Sequence, residues 1–456
     1  MKKIFREILL TVVCLLSACT VSETEQNRIV NIFAKDLFES YYLWKDDVKD
    51  SLALWNFNDT PQNNIDRCRY RNPDGSIIDQ HSSLLSDVDA YSLYPSDMLS
   101  FGFDFCHLED GRDSTYKECV VTKVYPGGPA DQAGIRRGDR FQIPDELQYV
   151  ERHGRLAYDK DSCTFRMENR NVKLFAVPEP EDPLIIQKIF NISGRKVGYM
   201  FFVSFDYSKA GNYYDAFKTF KESGVDDMIL DLRYNLGGHA DLADMIASIL
   251  APEEYVDYMY PFIYRGEEKI QLRVLFWPED RDGKEMEYNV DYLNLGIENL
   301  YLIYTGNSAS ASEYLCVGLR PYMNVTVIGD KSYGKFVGGP EFPMSDFLEA
   351  RKDSLSRKVY RQGKRISDGK FLYLMTFKYT DCNKENPYIS TGGIIPDYKV
   401  YDKPYERYQL GDEQESMLSA TLDIIKGKEI SIPDSEEKIL AKRPDGLYNF
   451  EMVGWK

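Results

Sequence analysis

The spacing of apolar residues predicts a helix near the N-terminus of the chain. Apolar side chains recur there at intervals of three and four residues, the period of one helix face: Ile29, Ile32, Phe33, Leu37 and Tyr41. A stretch rich in Asn and Asp between residues 56 and 66 is expected to interrupt this pattern. We therefore expect a small helical cap without recognisable chemistry of its own.

The pattern changes to short strands between about residues 97 and 177. The run FGFDF alternates apolar and polar side chains, and VVTKV is rich in β-branched residues, as is typical of strands. The stretch PGGPADQAGIRRGD then predicts a Gly/Pro turn, a short helix ending near Gly134 and a second turn at Gly138. The following stretch, IPDELQYVERHG, is acidic and turn-like, so no strand is expected there.

Between about residues 197 and 400, predicted strands and helices alternate. The strands include VGYMFFVSF, MILDLR, LYLIY and NVTVIG, and the helices cover residues 213–223, 240–250 and 309–319. Such alternation favours an α/β core with a largely parallel sheet, whose active groups belong on the loops that follow the strands. The tail contains one further predicted helix, with the apolar stripe Met417, Leu418, Leu422 and Ile425.

Composition narrows the class of protein. Of 456 residues, 43% are hydrophobic and 28% charged, which is the makeup of a folded protein. The net charge of −17 disfavours nucleic acid as a partner. With four histidines and no HExxH or CxxC motif, we expect neither a zinc site nor another cofactor. The 34 tyrosines leave a carbohydrate-binding surface open as an alternative.

The N-terminus has the pattern of an export signal. A basic start is followed by an apolar run from Ile8 to Ala18, which is too short to span a bilayer. The run ends in Leu16, Ser17, Ala18 and Cys19, and this ending resembles the bacterial lipobox, in which the signal is cut before an acylated cysteine. We therefore expect residues 1–18 to be removed and a lipid on Cys19 to hold the protein to a membrane of the bacterial cell envelope.

Six cysteines follow Cys19. Disulfides are permitted in an exported chain, but a protein of this size does not need them. Cys106 and Cys119 are the only pair close enough in sequence to suggest a crosslinked hairpin, which is one of two open readings.

The β-rich region, and PGGPADQAGIRRGD above all, resembles a PDZ domain. In that family a loop such as Ser100, Phe101, Gly102 and Phe103 presents backbone N–H groups to the terminal carboxylate of a peptide. The peptide then adds as a strand to the sheet edge.

Three segments carry residue types that can perform catalysis. TGNSASASEYLCVGL leads from a strand into a helix and places a serine hydroxyl beside the unpaired N–H groups of the helix start, although an ordinary serine N-cap has the same pattern. DLRYNLGG ends a buried strand with two glycines, which let the backbone approach a ligand or form a plain turn. KSYGKFVGG holds Lys335, which a structural reading would make a solvated surface charge.

Taken in their order along the chain, the PDZ-like region and these segments resemble the C-terminal processing, or tail-specific, serine peptidase family over roughly residues 97–400. In that family the nucleophile is the central serine of an SASASE-like motif and the base is a lysine 25 residues later, which implies Ser310 and Lys335 here. Ser308 and Ser312 are then neighbours of the nucleophile. The DLRYNLGG match implies an oxyanion hole formed by the amide of Gly237 or Gly238 together with that of Ala311. The stretch GGIIPDYKV at residues 392–400 also matches the family.

Two positions depart from the family pattern. Many members have a glutamine four residues after the lysine, where this chain has Gly339, and a glycine directly after it, where this chain has Phe336. A lysine amine accepts a proton only when neutral, and burial beside Phe336 and Val337 would favour that form. His239, directly after the double glycine, is an alternative base.

The resemblance implies a multidomain α/β fold. Its expected parts are a lipoprotein signal peptide (1–18), an N-terminal helical domain (19–96), a PDZ-like β domain (97–178), a Ser/Lys peptidase core of the ClpP/crotonase-like α/β type (179–402) and a helical tail (403–456).

The expected function is a cell-envelope serine endopeptidase that recognises exposed C-termini of protein or peptide substrates. Two alternatives remain: a catalytically inactive peptide-binding lipoprotein of the same family, favoured by Gly339, and a carbohydrate-binding envelope lipoprotein.

Overall fold

A computed structural model describes residues 21–72, 75–86, 99–108, 118–144, 147, 149–152, 155–158, 160–178, 184–252, 261–264, 267–270, 290–430 and 441–442. The predicted signal peptide and Cys19 lie outside these residues. The helices are α1 (Glu23–Tyr41), α2 (Lys49–Ala53), α3 (Pro61–Cys68), α4 (Pro129–Gln132), α5 (Ala210–Ser223), α6 (Ala240–Leu250), α7 (Val290–Leu293), α8 (Ala311–Leu319), α9 (Met344–Ala350), α10 (Arg357–Ile366) and α11 (Ser416–Ile425).

Within the described residues, the strands fall into five sheets. They are β1 (Ser83–Ser86), β2 (Leu99–Ser100), β3 (Phe103–Leu108), β4 (Glu118–Val124), β5 (Arg140–Gln142), β6 (Tyr149–Arg152), β7 (Arg155–Tyr158), β8 (Ser162–Met167), β9 (Asn171–Phe175), β10 (Val177–Pro178), β11 (Leu184–Ile192), β12 (Arg195–Phe202), β13 (Asp227–Asp231), β14 (Pro261–Tyr264), β15 (Glu267–Ile270), β16 (Asn299–Tyr304), β17 (Asn324–Gly329), β18 (Val337–Gly338), β19 (Glu341–Pro343), β20 (Lys370–Tyr373), β21 (Phe377–Tyr379), β22 (Tyr398–Lys399) and β23 (Ala441–Lys442).

The central sheet has the strand order β11-β12-β13-β16-β17-β22. All its neighbours pair in parallel except β11 and β12, so the expected parallel α/β core is present. Helices α5 and α8 lie between consecutive parallel strands, as crossover connections require. The residues that follow β13, β16 and β17 therefore emerge at one edge of the sheet, where ligands bind in such folds.

The β-rich region forms an antiparallel sheet with the order β23-β3-β4-β5-β8-β9, and a second sheet with the order β10-β2-β7-β6. The stretch IPDELQYVERHG, expected to be turn-like, contains strand β6. This strand is stabilised by antiparallel pairing with β7. Phe101 and Phe103 are fully buried in the aromatic core of this region, and their rings contact Phe165. Any contact of these two residues with a peptide would therefore come from their backbone.

The cysteines of this region do not form a crosslink. All six cysteines after Cys19 are free thiols in the described residues. On strands β3 and β4, Cys106 lies opposite Val120 and His107 lies opposite Cys119. Because successive residues of a strand face opposite sides of the sheet, the Cys106 and Cys119 side chains point to different faces.

A separate compact unit contains residues 21–86 together with Gly338–Phe377, whereas the sequence placed the latter segment in the core. Strand β1 pairs antiparallel with β20, which joins the two stretches. The Asn-rich stretch expected to be a break contains helix α3, since Thr60 caps its start and Asn64 is buried against Asn31. Ile29, Phe33 and Leu37 are buried as predicted, whereas Tyr41 is exposed.

None of the described helices combines the length and apolarity needed to cross a bilayer.

Candidate active site

The serine-rich segment crosses from strand β16 into helix α8, and its three serines have different partners. The Ser308 hydroxyl donates to the Leu232 carbonyl at 2.8 Å, and the Ser312 hydroxyl donates to the Asn235 carbonyl at 2.9 Å. Both hydroxyls thus attach the segment to the loop after β13. The Ser310 hydroxyl instead lies 3.2 Å from the hydroxyl of Tyr379. The Ser310 side chain also accepts from the backbone N–H of Glu313, as part of a capping box at the start of α8.

The backbone of Ser310 is strained. Ser310 precedes the first residue of α8 and has φ = 56°, a value that residues other than glycine rarely adopt. Such strain persists only where surrounding contacts hold it, and it is common at active sites. The conformation presents the hydroxyl at the N-terminus of α8, beside N–H groups that have no acceptor within the helix.

The double glycine after β13 lies against this turn. A β-carbon on Gly237 would come within 2.7 Å of the Ser310 β-carbon and 2.9 Å of the Ala311 nitrogen, so no side chain fits there. The Gly237 N–H donates to the Asn235 side chain at 2.8 Å, and the Gly237 carbonyl accepts from Phe205. In a trans peptide the N–H points away from the carbonyl, so the Gly238 N–H points away from Phe205. Of the two candidate glycine amides, Gly238 is the one whose direction leaves it available.

A buried carboxylate connects the serine turn to the lysine loop. Glu313 accepts from the backbone N–H of Ser310 at 2.9 Å and from that of Lys335 at 2.8 Å through the same oxygen, Oε2. Its other oxygen accepts from the Gly334 N–H at 2.6 Å and from the Ser332 hydroxyl. Burial raises the pKa of Glu313 to about 7, although these four hydrogen bonds oppose the rise. Ser310 and Lys335, both buried, are therefore held by one side chain.

The charged residues of DLRYNLGG have a structural role. Arg233 is fully buried and forms paired hydrogen bonds with Asp231, at 2.9 and 2.8 Å, and with Glu415, at 2.7 and 2.9 Å. Because each charge has a partner, the cluster can stay buried. It fixes the turn that leads to Gly237.

His239 is the residue before the first residue of α6, and its backbone N–H donates to the Phe205 carbonyl at 2.9 Å. Burial lowers the pKa of its imidazole, and Asp206 and Asp241 partly oppose this. Its ring packs on Tyr207 with 5.8 Å between centroids. In the described part of the chain, no group of three or more His, Cys, Asp or Glu side chains is arranged to hold a metal ion.

The structure thus brings together Ser310, Lys335, Ala311 and the double glycine. Sequence reasoning missed Glu313 and Tyr379. Glu313 stands within the SASASE motif as the third residue of α8, and a capping-box reading would have found it. Tyr379 lies 69 residues from Ser310, and no local signal points to it.

Comparison with known proteins gives a family match over part of the chain. Residues 196–400 match the family model of peptidase family S41. A crystal structure of a candidate S41 protease from Bacteroides fragilis NCTC 9343 superposes with a TM-score of 0.58 at 20% identity, covering 87% of this chain and 97% of that one. This likeness supports the α/β fold.

The curated relatives match a smaller part of this chain than that crystal structure does. The carboxy-terminal processing protease CtpB of Bacillus subtilis (strain 168) is 22% identical over 277 residues, which is 57% of this chain and 54% of that protein. A probable CtpA-like serine protease of Staphylococcus aureus (strain COL) is 24% identical over 331 residues, covering 70% and 60%. The chain thus spans less than two thirds of these relatives. Together with the family match over residues 196–400, they confirm the resemblance inferred from the motifs, to peptidase family S41 and its C-terminal processing proteases.

Proposed function

We propose that this protein is a serine endopeptidase of the C-terminal processing type, with Ser310 as nucleophile and Lys335 as general base. One observation carries the proposal. The central serine of the motif has a strained backbone and a hydroxyl that contacts Tyr379, while one oxygen of Glu313 accepts from the backbone N–H groups of both Ser310 and Lys335.

The chemistry follows from these positions. Lys335 in its neutral form takes the proton from Ser310 Oγ, and Oγ forms a bond to the carbonyl carbon of the substrate. The N–H groups of Gly238 and Ala311 stabilise the negative oxygen of the tetrahedral intermediate. The proton then passes to the leaving amine, and water later releases the acyl group from Ser310.

The test is to incubate the purified protein with an unfolded polypeptide that ends in apolar residues and to identify fragments by mass spectrometry. We expect cleavage by the wild type and none by Ser310→Ala. A serine-directed fluorophosphonate should label Ser310 in the wild type. Equal cleavage by the two proteins, or no cleavage together with no labelling, would refute the proposal.

Gly339 favours a second candidate, a catalytically inactive peptide-binding lipoprotein. The position that carries glutamine in many family members has no side chain here. Peptide binding without acylation of Ser310 would support this candidate over the peptidase.

We further propose that the β-rich region recognises substrate C-termini in the PDZ manner, through the backbone of Ser100, Phe101, Gly102 and Phe103 and the edge of strand β3. The pairing of β3 with the short antiparallel strand β23 supports this, since that edge accepts an extended segment. A peptide with a free carboxylate should bind more tightly than the same peptide with an amidated end. Equal affinity would contradict the assignment.

A lipid on Cys19 would hold the enzyme in the bacterial cell envelope, with its substrates reached from the membrane surface. Cys19→Ala is expected to release the protein from membranes in detergent fractionation without loss of fold. Persistent membrane association of this variant would argue against the lipoprotein assignment.

A further inference from the structure

We propose that Tyr379 is a further catalytic residue, whose hydroxyl holds Ser310 Oγ and stabilises the charge that grows there as the base removes its proton. The assignment rests on the proposed peptidase function. Tyr379 lies outside the four sequence motifs, and it contacts the nucleophile atom itself: the two oxygens are 3.2 Å apart, with both residues buried.

Tyr379 is held in place from three directions. Its backbone N–H donates to the carbonyl of Phe336, the residue after Lys335, at 3.0 Å. Strand β21 pairs it with Phe262 of β14. Its ring packs against that of Tyr314 on helix α8, with 5.1 Å between centroids, and the Tyr314 hydroxyl donates to Asp244. The phenol therefore has a fixed position relative to both the serine helix and the lysine loop.

Gly339 is the position at which many family members carry a glutamine. A β-carbon on Gly339 would lie 1.7 Å from the Leu374 carbonyl oxygen, so the backbone there excludes a glutamine or any other side chain. A polar group that takes the place of that glutamine would therefore come from elsewhere in the chain. Tyr379 supplies such a group by contacting the serine rather than by extending from the lysine loop.

The proposed step needs no reactant besides the substrate, Ser310 and Lys335. The Ser310 O–H bond breaks, its proton moves to the Lys335 amine, and Oγ bonds to the substrate carbonyl carbon. Tyr379 keeps its own proton and donates a hydrogen bond to Oγ as negative charge develops there. A donor placed in advance at a growing charge lowers the barrier of the reaction without itself being consumed.

The decisive variant is Tyr379→Phe, which removes the hydroxyl and keeps the ring contacts. We expect kcat on a short internal peptide to fall about 10- to 10²-fold, with KM changed by less than about twofold. The rate constant of fluorophosphonate labelling at Ser310 should fall by a similar factor, and the thermal midpoint should stay unchanged. Because Tyr379 keeps its proton, the loss should be equal across the pH profile.

Tyr42→Phe is the matched control. Tyr42 is a buried tyrosine of the N-terminal unit whose hydroxyl donates to Asp79 at 2.7 Å, so it also loses a buried hydroxyl, and it should keep wild-type labelling kinetics. If Tyr379→Phe folds poorly, 4-aminophenylalanine at position 379 keeps a donor on the same ring. It should recover part of the lost rate.

The outcomes separate this inference from the proposed function. If the wild type cleaves, Ser310→Ala does not, and Tyr379→Phe matches the wild type in kcat and labelling, the role of Tyr379 is refuted while the peptidase stands. A shifted midpoint in the pH profile of Tyr379→Phe would make the phenol part of the proton-abstracting group and would also overturn the donor role. If the wild type itself neither cleaves nor reacts with the probe, the proposed function fails first.

Discussion

At the scale of single residues, Lys335 and His239 are the two candidate bases of the site. Lys335 shares the Glu313 carboxylate with Ser310, whereas His239 is bound by its backbone to Phe205 at the start of a different helix. Through Glu313, these hydrogen bonds link the backbone of Lys335 to the turn of Ser310.

We expect Lys335→Ala to abolish activity as completely as Ser310→Ala. The double variant should cost little more than either single change, because both changes block the same step. His239→Ala should keep most of the rate. The measurement is kcat/KM on a short internal peptide. Retention of more than about a tenth of the wild-type value by Lys335→Ala would exclude it as the base, since general-base assistance contributes roughly 10²-fold or more.

Asp244 makes stability depend on pH. It is buried on α6, accepts from the Tyr314 hydroxyl, and its Oδ2 has no hydrogen-bond partner among the described residues. Burial raises its pKa from 3.8 to about 8, which the hydrogen bond from Tyr314 partly opposes. The folded protein therefore binds a proton that the unfolded chain has already lost between these two values.

From this shift we expect the stabilising contribution of Asp244 to be complete below about pH 4 and to be lost as pH rises toward about 8. Asp244→Asn mimics the neutral carboxyl, so its thermal midpoint should fall less than that of the wild type between mildly acidic and mildly alkaline pH. Asp215→Asn, at an exposed position on α5, should follow the wild type. Parallel curves for Asp244→Asn and the wild type would show that the buried group does not titrate as described.

At the scale of elements, local periodicity predicted the strands and helices that form from their own sequence pattern. Helix α6 has the predicted bounds, and the helix expected at 309–319 begins two residues later, because Ser310 adopts a non-helical backbone. Ser310, Lys335 and the double glycine could be predicted from the motifs that this chain shares with the family, and Ser310, Lys335 and Gly237 each lie six residues after the end of a strand.

Contacts between distant segments could not be predicted. Glu313 gains its role only when the loop at residues 332–335 folds over α8, and Tyr379 only when β21 pairs with β14. For Phe101 and Phe103 the strand could be predicted, but the surroundings of their side chains could not. Their alternating pattern indicated a strand, but whether a phenyl ring faces a groove or a core depends on the sheet that covers it.

The strand and turn around Gly339 predict the outcome of restoring the family glutamine. We expect Gly339→Gln to lower the thermal midpoint and not to raise activity, because its β-carbon would overlap the Leu374 carbonyl at 1.7 Å. Gly306→Ala is a suitable stability control, since the nearest atom to its added β-carbon is 3.9 Å away. A Gly339→Gln protein that is as stable as the wild type and more active would mean that the segment can rearrange to admit a side chain.

At the scale of the whole molecule, the chain supplies its own strand to the edge proposed for substrates. Ala441 and Lys442 of β23 pair antiparallel with Leu108 and His107 of β3. Strand β3 has β4 as its other neighbour, so β23 occupies the side on which a peptide would add. Because β23 belongs to the same chain as β3, its pairing is intramolecular, and an incoming peptide has to displace it.

Deleting residues 431–456 should therefore free this edge. We expect the shortened protein to bind a peptide with an apolar, free C-terminus more tightly than the full chain does, because the peptide no longer displaces β23. Cleavage of a short internal peptide should be unchanged, since the serine, the lysine and Tyr379 lie before residue 431.

A charge reversal, Lys442→Glu, is the control variant and should leave the affinity for the peptide near the full-length value, because backbone groups make the strand pairing. Calorimetric titration of both proteins with the same peptide gives the comparison. An unchanged dissociation constant after the deletion would show that β23 and the peptide do not compete for the β3 edge, and the site of C-terminal recognition would then have to be sought elsewhere on the β-rich region.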